Sequence, residues 1–385
     1  MDGVFRILRN LWPIVSFGKF AMVTRFDDVQ EVLSRSEVFV NSYNDKLNVI
    51  MGGHPFFLGM TQTEEYTRDT TNLRMVVRRE DIEQRLASAT TTEVERRVAA
   101  SGGRIEIVDF VRSVTFDVFC DYFGTPGPPD ADLRVWATRL FEFQFADQAN
   151  DPSLRAEVEV YAPQLRAHID GLLAARRQQP ALDDVLGRCL ALQAMGAPGM
   201  DDETIRTNLI GLIVGGLPQP PMAAPQALEQ LLRRPDALAL AQEAARQDND
   251  VLLAGAVFEA LRFDPLAPGL VRQAAEDYVV AAGCWRAHRI RQGATVVAAI
   301  RSAMHDGRRV PHPESFMADR RPYQYLHFGY GLHTCFAMHI NLALLPLMLK
   351  PVLKRAQLKR ADGPDGHLSK RGVFADRLVV TFDPV

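Results

Sequence analysis

The sequence predicts a mainly α-helical protein with a small β region. Apolar residues recur at helical spacing through the first three quarters of the chain. Strand-like segments are few and short, and no Pro/Gly-rich stretch is long enough to be a linker. From the N-terminus, residues 20–24 read as a strand. Asp27 and Asp28 then stand as N-cap candidates before Val29, Val32 and Leu33 at helical spacing. Asp201 and Asp202 precede Ile205, Leu209, Leu212 and Ile213 in the same way, and a further helix carries Leu252, Leu253, Ala256, Val257, Ala260 and Leu261 on one face. Residues 278–281, 295–300 and 377–382 complete the strand-like set. The Pro/Gly-rich stretches at 124–129, 196–199 and 217–225 read as loops or breaks inside one unit, because helical patterning resumes after each. The expectation is one domain over residues 1–385.

Composition narrows the function. The 385 residues are 47% hydrophobic and 24% charged, and 44 basic residues against 47 acidic ones give a net charge of -3. That balance offers no global positive field to hold nucleic acid or an anionic membrane, so neither is expected as a partner. The apolar runs at 209–217 and 342–349 are ended by Pro218 and interrupted by Pro346, well short of the ~18–20 residues needed to span a bilayer. Asp2, Arg6 and Arg9 break up the first ten residues, which do not read as a secretory signal, and a cytoplasmic location is expected. Cys120, Cys189, Cys284 and Cys335 show no CxxC spacing, which argues against a zinc site, an iron–sulfur cluster or a disulfide framework.

One cysteine stands in a distinctive setting. In the stretch Phe328-Gly329-Tyr330-Gly331-Leu332-His333-Thr334-Cys335-Phe336-Ala337, two glycines precede Cys335 at the start of an apolar helical run. Glycine lets a backbone approach a flat ligand closely. A cysteine at a helix N-terminus is expected to have a lowered pKa, and a thiolate is a metal ligand. This stretch resembles the haem loop of the cytochrome P450 superfamily, FGxGxHxCxG. Phe328, Gly329, Gly331, His333 and Cys335 match it, and Ala337 replaces the last glycine, small for small. The resemblance implies a haem b whose iron takes Cys335 as axial ligand, with His333 reaching one propionate.

Two upstream segments extend the likeness. Glu259-Ala260-Leu261-Arg262 sits on an otherwise apolar helix and is followed by Pro265, Pro268 and Arg272. Phe316-Met317-Ala318-Asp319-Arg320-Arg321-Pro322 is similar to the family's meander. By resemblance Glu259, Arg262 and Arg320 form a buried structural triad, and Arg272 holds the second propionate. The family's His and Arg near the haem edge correspond to Glu65-Tyr66-Thr67-Arg68-Asp69-Thr70, where Tyr66, Arg68 or Arg74 is the candidate.

The chain departs from the family in its central helix. The family keeps an acid and an alcohol there, which supply the protons that cleavage of an O–O bond needs. After Gly215 and Gly216 this chain reads Leu217-Pro218-Gln219-Pro220-Pro221, with Pro218 at the acid's position and Gln219 at the alcohol's. Neither side chain shuttles protons, and the prolines are expected to kink or open the helix. Two kinds of activity are consistent with this. One is a monooxygenase in which water or a substrate hydroxyl supplies the protons. The other is a peroxygenase, isomerase or lyase working on a peroxide or hydroperoxide that already carries the O–O bond. A third reading, of another class, is a haem protein that binds a ligand without turnover.

A monooxygenase would need electrons from a separate ferredoxin or flavodoxin-type protein, because no flavin-binding region or cluster cysteines are present. Arg74 and Arg78, read as one helix face, and Lys350, Lys354 and Arg355 are the candidate docking cations. Residues 47–57, Phe141, Phe143, Phe145, 212–219 and 266–270 are mostly apolar and are expected to line a pocket for a hydrophobic small molecule.

Overall fold

The computed structural model describes residues 2–180 and 182–384. Helices dominate, with a few short strands, and the chain divides into two compact units.

The first unit comprises residues 1–42, 225–338 and 352–359. Its centre is a five-stranded sheet in which Ile14–Phe17, Phe20–Val23, Thr295–Ala298, Leu270–Ala274 and Phe39–Asn41 lie side by side in that order. Phe20–Val23 runs parallel to Thr295–Ala298, and the other neighbours are antiparallel. The register sets Arg272 opposite both Val296 and Asn41. The helix Phe26–Ser34 packs on this sheet through Phe26, Val29, Val32 and Leu33, in a core with Phe39, Val296, Ala298 and Met304. Asp27 and Asp28 do not cap it. Arg25 is the cap residue, and the fully buried Asp28 instead pairs with Arg286 at 2.7 Å.

The second unit comprises residues 43–224, 339–351 and 360–385 and is built from helices. Leu133–Phe141, Pro152–Arg176 and Asp202–Gly216 pack on one another through fully buried Leu140, Leu165, Ile169 and Ile213. Asp201 does cap Asp202–Gly216, its Oδ1 accepting the Thr204 N–H at 2.8 Å. The C-terminal strand expected at 377–382 divides at Leu378. Phe374–Arg377 pairs with Ser369–Arg371, and Val379–Thr381 pairs with Arg104–Glu106. Pro346 does not interrupt its helix, which runs from Met338 to Leu353.

Candidate active site

The cysteine loop is shaped by its glycines. Gly329 and Gly331 have φ of 74° and 75°, a region that disfavours side chains. A Cβ on Gly331 would also lie 2.7 Å from the Leu33 carbonyl, so no other residue fits there without a shift. The loop closes when the Cys335 N–H donates to the Phe328 carbonyl at 2.8 Å and the Thr334 N–H to the Gly331 carbonyl at 3.1 Å. Regular helix begins at Met338, three residues after the cysteine. The thiol differs from the expectation of a lowered pKa. Desolvation by the surrounding protein pushes it up to about 11, against a hydrogen bond from the Ala337 backbone. Such a sulfur stays protonated unless a cation takes its charge.

Arg272 and His333 come together near this loop. Arg272 is buried in its strand and donates from Nη1 to the Val271 carbonyl at 2.9 Å. Burial, helped by the charge of Arg272, pushes His333 down to about 4, so its imidazole is neutral near pH 7.

The carboxylate of Glu259, fully buried, is the hub of a dense network. Arg262 donates to it through Nε and Nη2 at 2.9 and 2.8 Å, and Arg320 through Nε at 3.0 and 3.2 Å. The Met317 N–H adds a bond at 3.0 Å and the Tyr325 hydroxyl another at 3.1 Å. Burial alone would raise the Glu259 pKa, but these donors outweigh it and hold the carboxyl below its ordinary range. Arg320 also reaches the Pro311, His312 and Ser315 carbonyls. Tyr325 was missed by sequence reasoning. Its position, ten residues before Cys335, carries no pattern that distinguishes it from any other loop tyrosine.

In the second unit, Tyr66 lies in the first turn of the helix Glu64–Val76, which Thr63 caps by accepting its N–H at 3.1 Å. Burial raises its phenol, and the charge of nearby Arg74 opposes that. Arg68 is turned to Asp69, 2.8 Å from Nε, and packs over Gly199. Arg78 does not share a helix face with Arg74. The helix ends at Val76, and Arg78 pairs with Asp183 at 3.9 Å. Lys354 is likewise engaged, 2.7 Å from Asp248.

The proline-rich segment opens the central helix. Asp202–Gly216 stops before Leu217-Pro218-Gln219, and a new helix, Pro220–Leu232, starts at once. Leu217 and Pro218 are buried and Gln219 is half-buried. A Cβ added to Gly215 or Gly216 would meet no atom within 4 Å, so both glycines border open space.

The loop and the Glu259 hub have the geometry expected of the motifs that resemble a haem-thiolate protein, and comparison with known proteins makes the class specific. The family model for cytochrome P450 matches residues 165–374, more than half of the chain. The chain is 26% identical over 365 residues to the mycinamicin IV hydroxylase/epoxidase of Micromonospora griseorubida, covering 90% of this chain and 84% of the relative. It is 29% identical over 260 residues to the steroid C26-monooxygenase of Mycolicibacterium smegmatis, covering 66% and 61%. Its fold is similar to that of P450BioI, solved with an acyl carrier protein, with a TM-score of 0.82 at 21% identity over 99% of this chain and 98% of that one. The chain belongs to the cytochrome P450 family and is an enzyme of that type, a haem- and iron-dependent oxidoreductase.

The residues present fit the family's haem. A desolvated sulfur receives a backbone N–H in a loop that glycines turn, and Arg272 and His333 supply donors suited to the two propionate carboxylates. Among the described residues no cluster of three or more His, Cys, Asp or Glu could hold a metal ion. No helix among them is long and apolar enough to cross a membrane.

Proposed function

We propose that the chain is a cytochrome P450 monooxygenase that inserts oxygen into a hydrophobic small molecule, with residues 1–385 acting as one haem-thiolate domain. Cys335 would be the axial ligand of haem b, Arg272 and His333 would bind its propionates, and Phe328, Gly329 and Ala337 would line the sulfur loop. Tyr66, or Arg68 once released from Asp69, would add a further contact to the haem edge. Glu259, Arg262 and Arg320 would hold the scaffold in place. When bound, the haem supplies the chemistry that activates oxygen for transfer. The observation that carries this reading is the Cys335 loop, in which motif, glycine geometry and backbone hydrogen bonds agree. Relatives that act on mycinamicin IV and on a steroid support a bulky, largely apolar substrate.

Electrons would come from an acidic ferredoxin or flavodoxin-type donor. Arg74 and Arg79 are exposed cations of the second unit and would be the docking charges for such a donor.

Pro218 and Gln219 favour a second reading, in which peroxide is the oxidant. Neither side chain moves a proton where the family keeps its acid and alcohol. Purified holoprotein with a surrogate ferredoxin and its reductase separates the two. Tight coupling of electron consumption to product would support the monooxygenase, with water or substrate replacing the relay. Electrons lost as hydrogen peroxide, with efficient turnover on added peroxide, would support the second reading. In that case the double variant Pro218→Asp, Gln219→Thr should raise coupling with dioxygen.

A further inference from the structure

The interrupted helix leaves a run of main-chain carbonyls without their usual donors. In a continuous helix the carbonyls of Val214, Gly216 and Leu217 would accept from residues 218, 220 and 221. All three are proline and carry no N–H. The Leu217 N–H goes to Ile213, and the Met222 and Ala223 N–H groups both go to Gln219. The carbonyls of Val214, Gly215, Gly216, Leu217 and Pro218 therefore receive no hydrogen bond from any described residue. The Gln219 side chain is also without a hydrogen-bond partner among the described residues. Helix C-termini often turn away into a left-handed residue that satisfies their last carbonyls. Leu217 instead keeps helical φ and ψ of -74° and -37°, and the segment is largely buried. Buried backbone carbonyls are almost always paired, and at two residues of this run, Gly215 and Gly216, an added Cβ would meet no atom within 4 Å.

We propose that the Val214–Pro218 carbonyls and the Gln219 amide form a hydrogen-bond-accepting subsite. It would take a hydroxyl or protonated amine on the otherwise apolar substrate. The inference rests on the proposed action on a hydrophobic small molecule and adds the polar group by which that molecule is held. A carboxylate, which only accepts, would meet the repulsion of five carbonyl oxygens against at most the N–H donors of the Gln219 amide. An ether or ketone of the same skeleton could take at most an N–H of the Gln219 amide and would forgo all five carbonyls.

The test is calorimetric binding to the holoprotein without electron donor or peroxide, so its result is independent of which oxidant the enzyme uses. The probes are cyclododecanol, its methyl ether, cyclododecanone and cyclododecanecarboxylate, which share one ring. The alcohol should bind about tenfold or more tightly than the ether and ketone, with the carboxylate weakest. In the triple variant Pro218→Ala, Pro220→Ala, Pro221→Ala, three N–H donors return, and the preference for the alcohol should largely vanish while ether affinity holds. Equal affinities for alcohol and ether in the wild-type protein would mean that water alone occupies the carbonyls and would overturn the proposal. So would tightest binding by the carboxylate, or no measurable binding of the alcohol. The wild-type comparison decides the matter even if the triple variant does not fold.

Discussion

The Glu259 hub and the proline break treat buried polar groups in opposite ways. At the hub a single carboxylate collects donors from two arginines, a backbone amide and a tyrosine, so every buried charge is met several times. At the break five successive carbonyls and a glutamine side chain meet none from the described residues. The first arrangement is closed to outside ligands, and removing any part of it should cost stability. The second is open to them, and changes there should alter binding and chemistry far more than folding.

The sharpest way to break this contrast lies at Cys335. Cys335→Ala should abolish the thiolate-type spectrum of the reduced carbonyl complex, and an unchanged spectrum would remove Cys335 as the axial ligand. Next comes the hub itself. Glu259→Ala leaves Arg262 and Arg320 buried without their anion and should cost about 3–5 kcal/mol, read as a collapse in the yield of folded haem protein. Because its folded pKa is depressed, the carboxylate contributes stability above the ordinary glutamate range near ~4.3 that is lost as pH falls through the folded value. Acid unfolding curves of wild type and Glu259→Gln should therefore converge at low pH.

Gly331→Ala would force a methyl group against the Leu33 carbonyl at a positive φ, a loss of about 1–3 kcal/mol measurable by denaturant unfolding. Tyr325→Phe deletes one donor among several and should cost about 1–2 kcal/mol. The smallest effect belongs to the break. Gly216→Ala adds a methyl group to open space on a helical residue and should raise stability by about 0.5–1 kcal/mol. A loss there comparable to that of Gly331→Ala would erase the distinction between the two regions.

What could be read in advance followed the range of the interactions. The cysteine loop was legible because its geometry is local: a hydrogen bond spans seven residues, from Cys335 to Phe328, and the required glycines lie between. The opening of the helix was legible for the same reason, since prolines remove donors covalently. The long apolar helices could be read from period alone. The strands were harder because three or four residues carry little periodicity, and strands such as Phe39–Asn41 exist through partners more than 200 residues away. Tyr325 is a donor to a carboxylate 66 residues upstream, a relation no local pattern encodes. Arg78 was placed on a helix that stops two residues earlier, and Asp27 and Asp28 were read as caps although Asp28 is committed to Arg286 from a distant loop. The lowered thiol pKa expected for Cys335 gave way because regular helix starts only at Met338 and desolvation, a tertiary effect, outweighs the Ala337 backbone hydrogen bond.

The three prolines also bear on how the segment responds to substitution. Restoring an acid at 218 and an alcohol at 219 leaves Pro220 and Pro221 in place, and with them two carbonyls whose helical donors are absent. Replacing any one proline returns a single N–H and leaves the other carbonyls without their helical donors, so the effects of separate steps are not additive. A complete hydrogen-bond ladder across the segment therefore needs all three positions changed. The opened conformation is in that sense redundantly encoded, since three separate residues each withhold a donor.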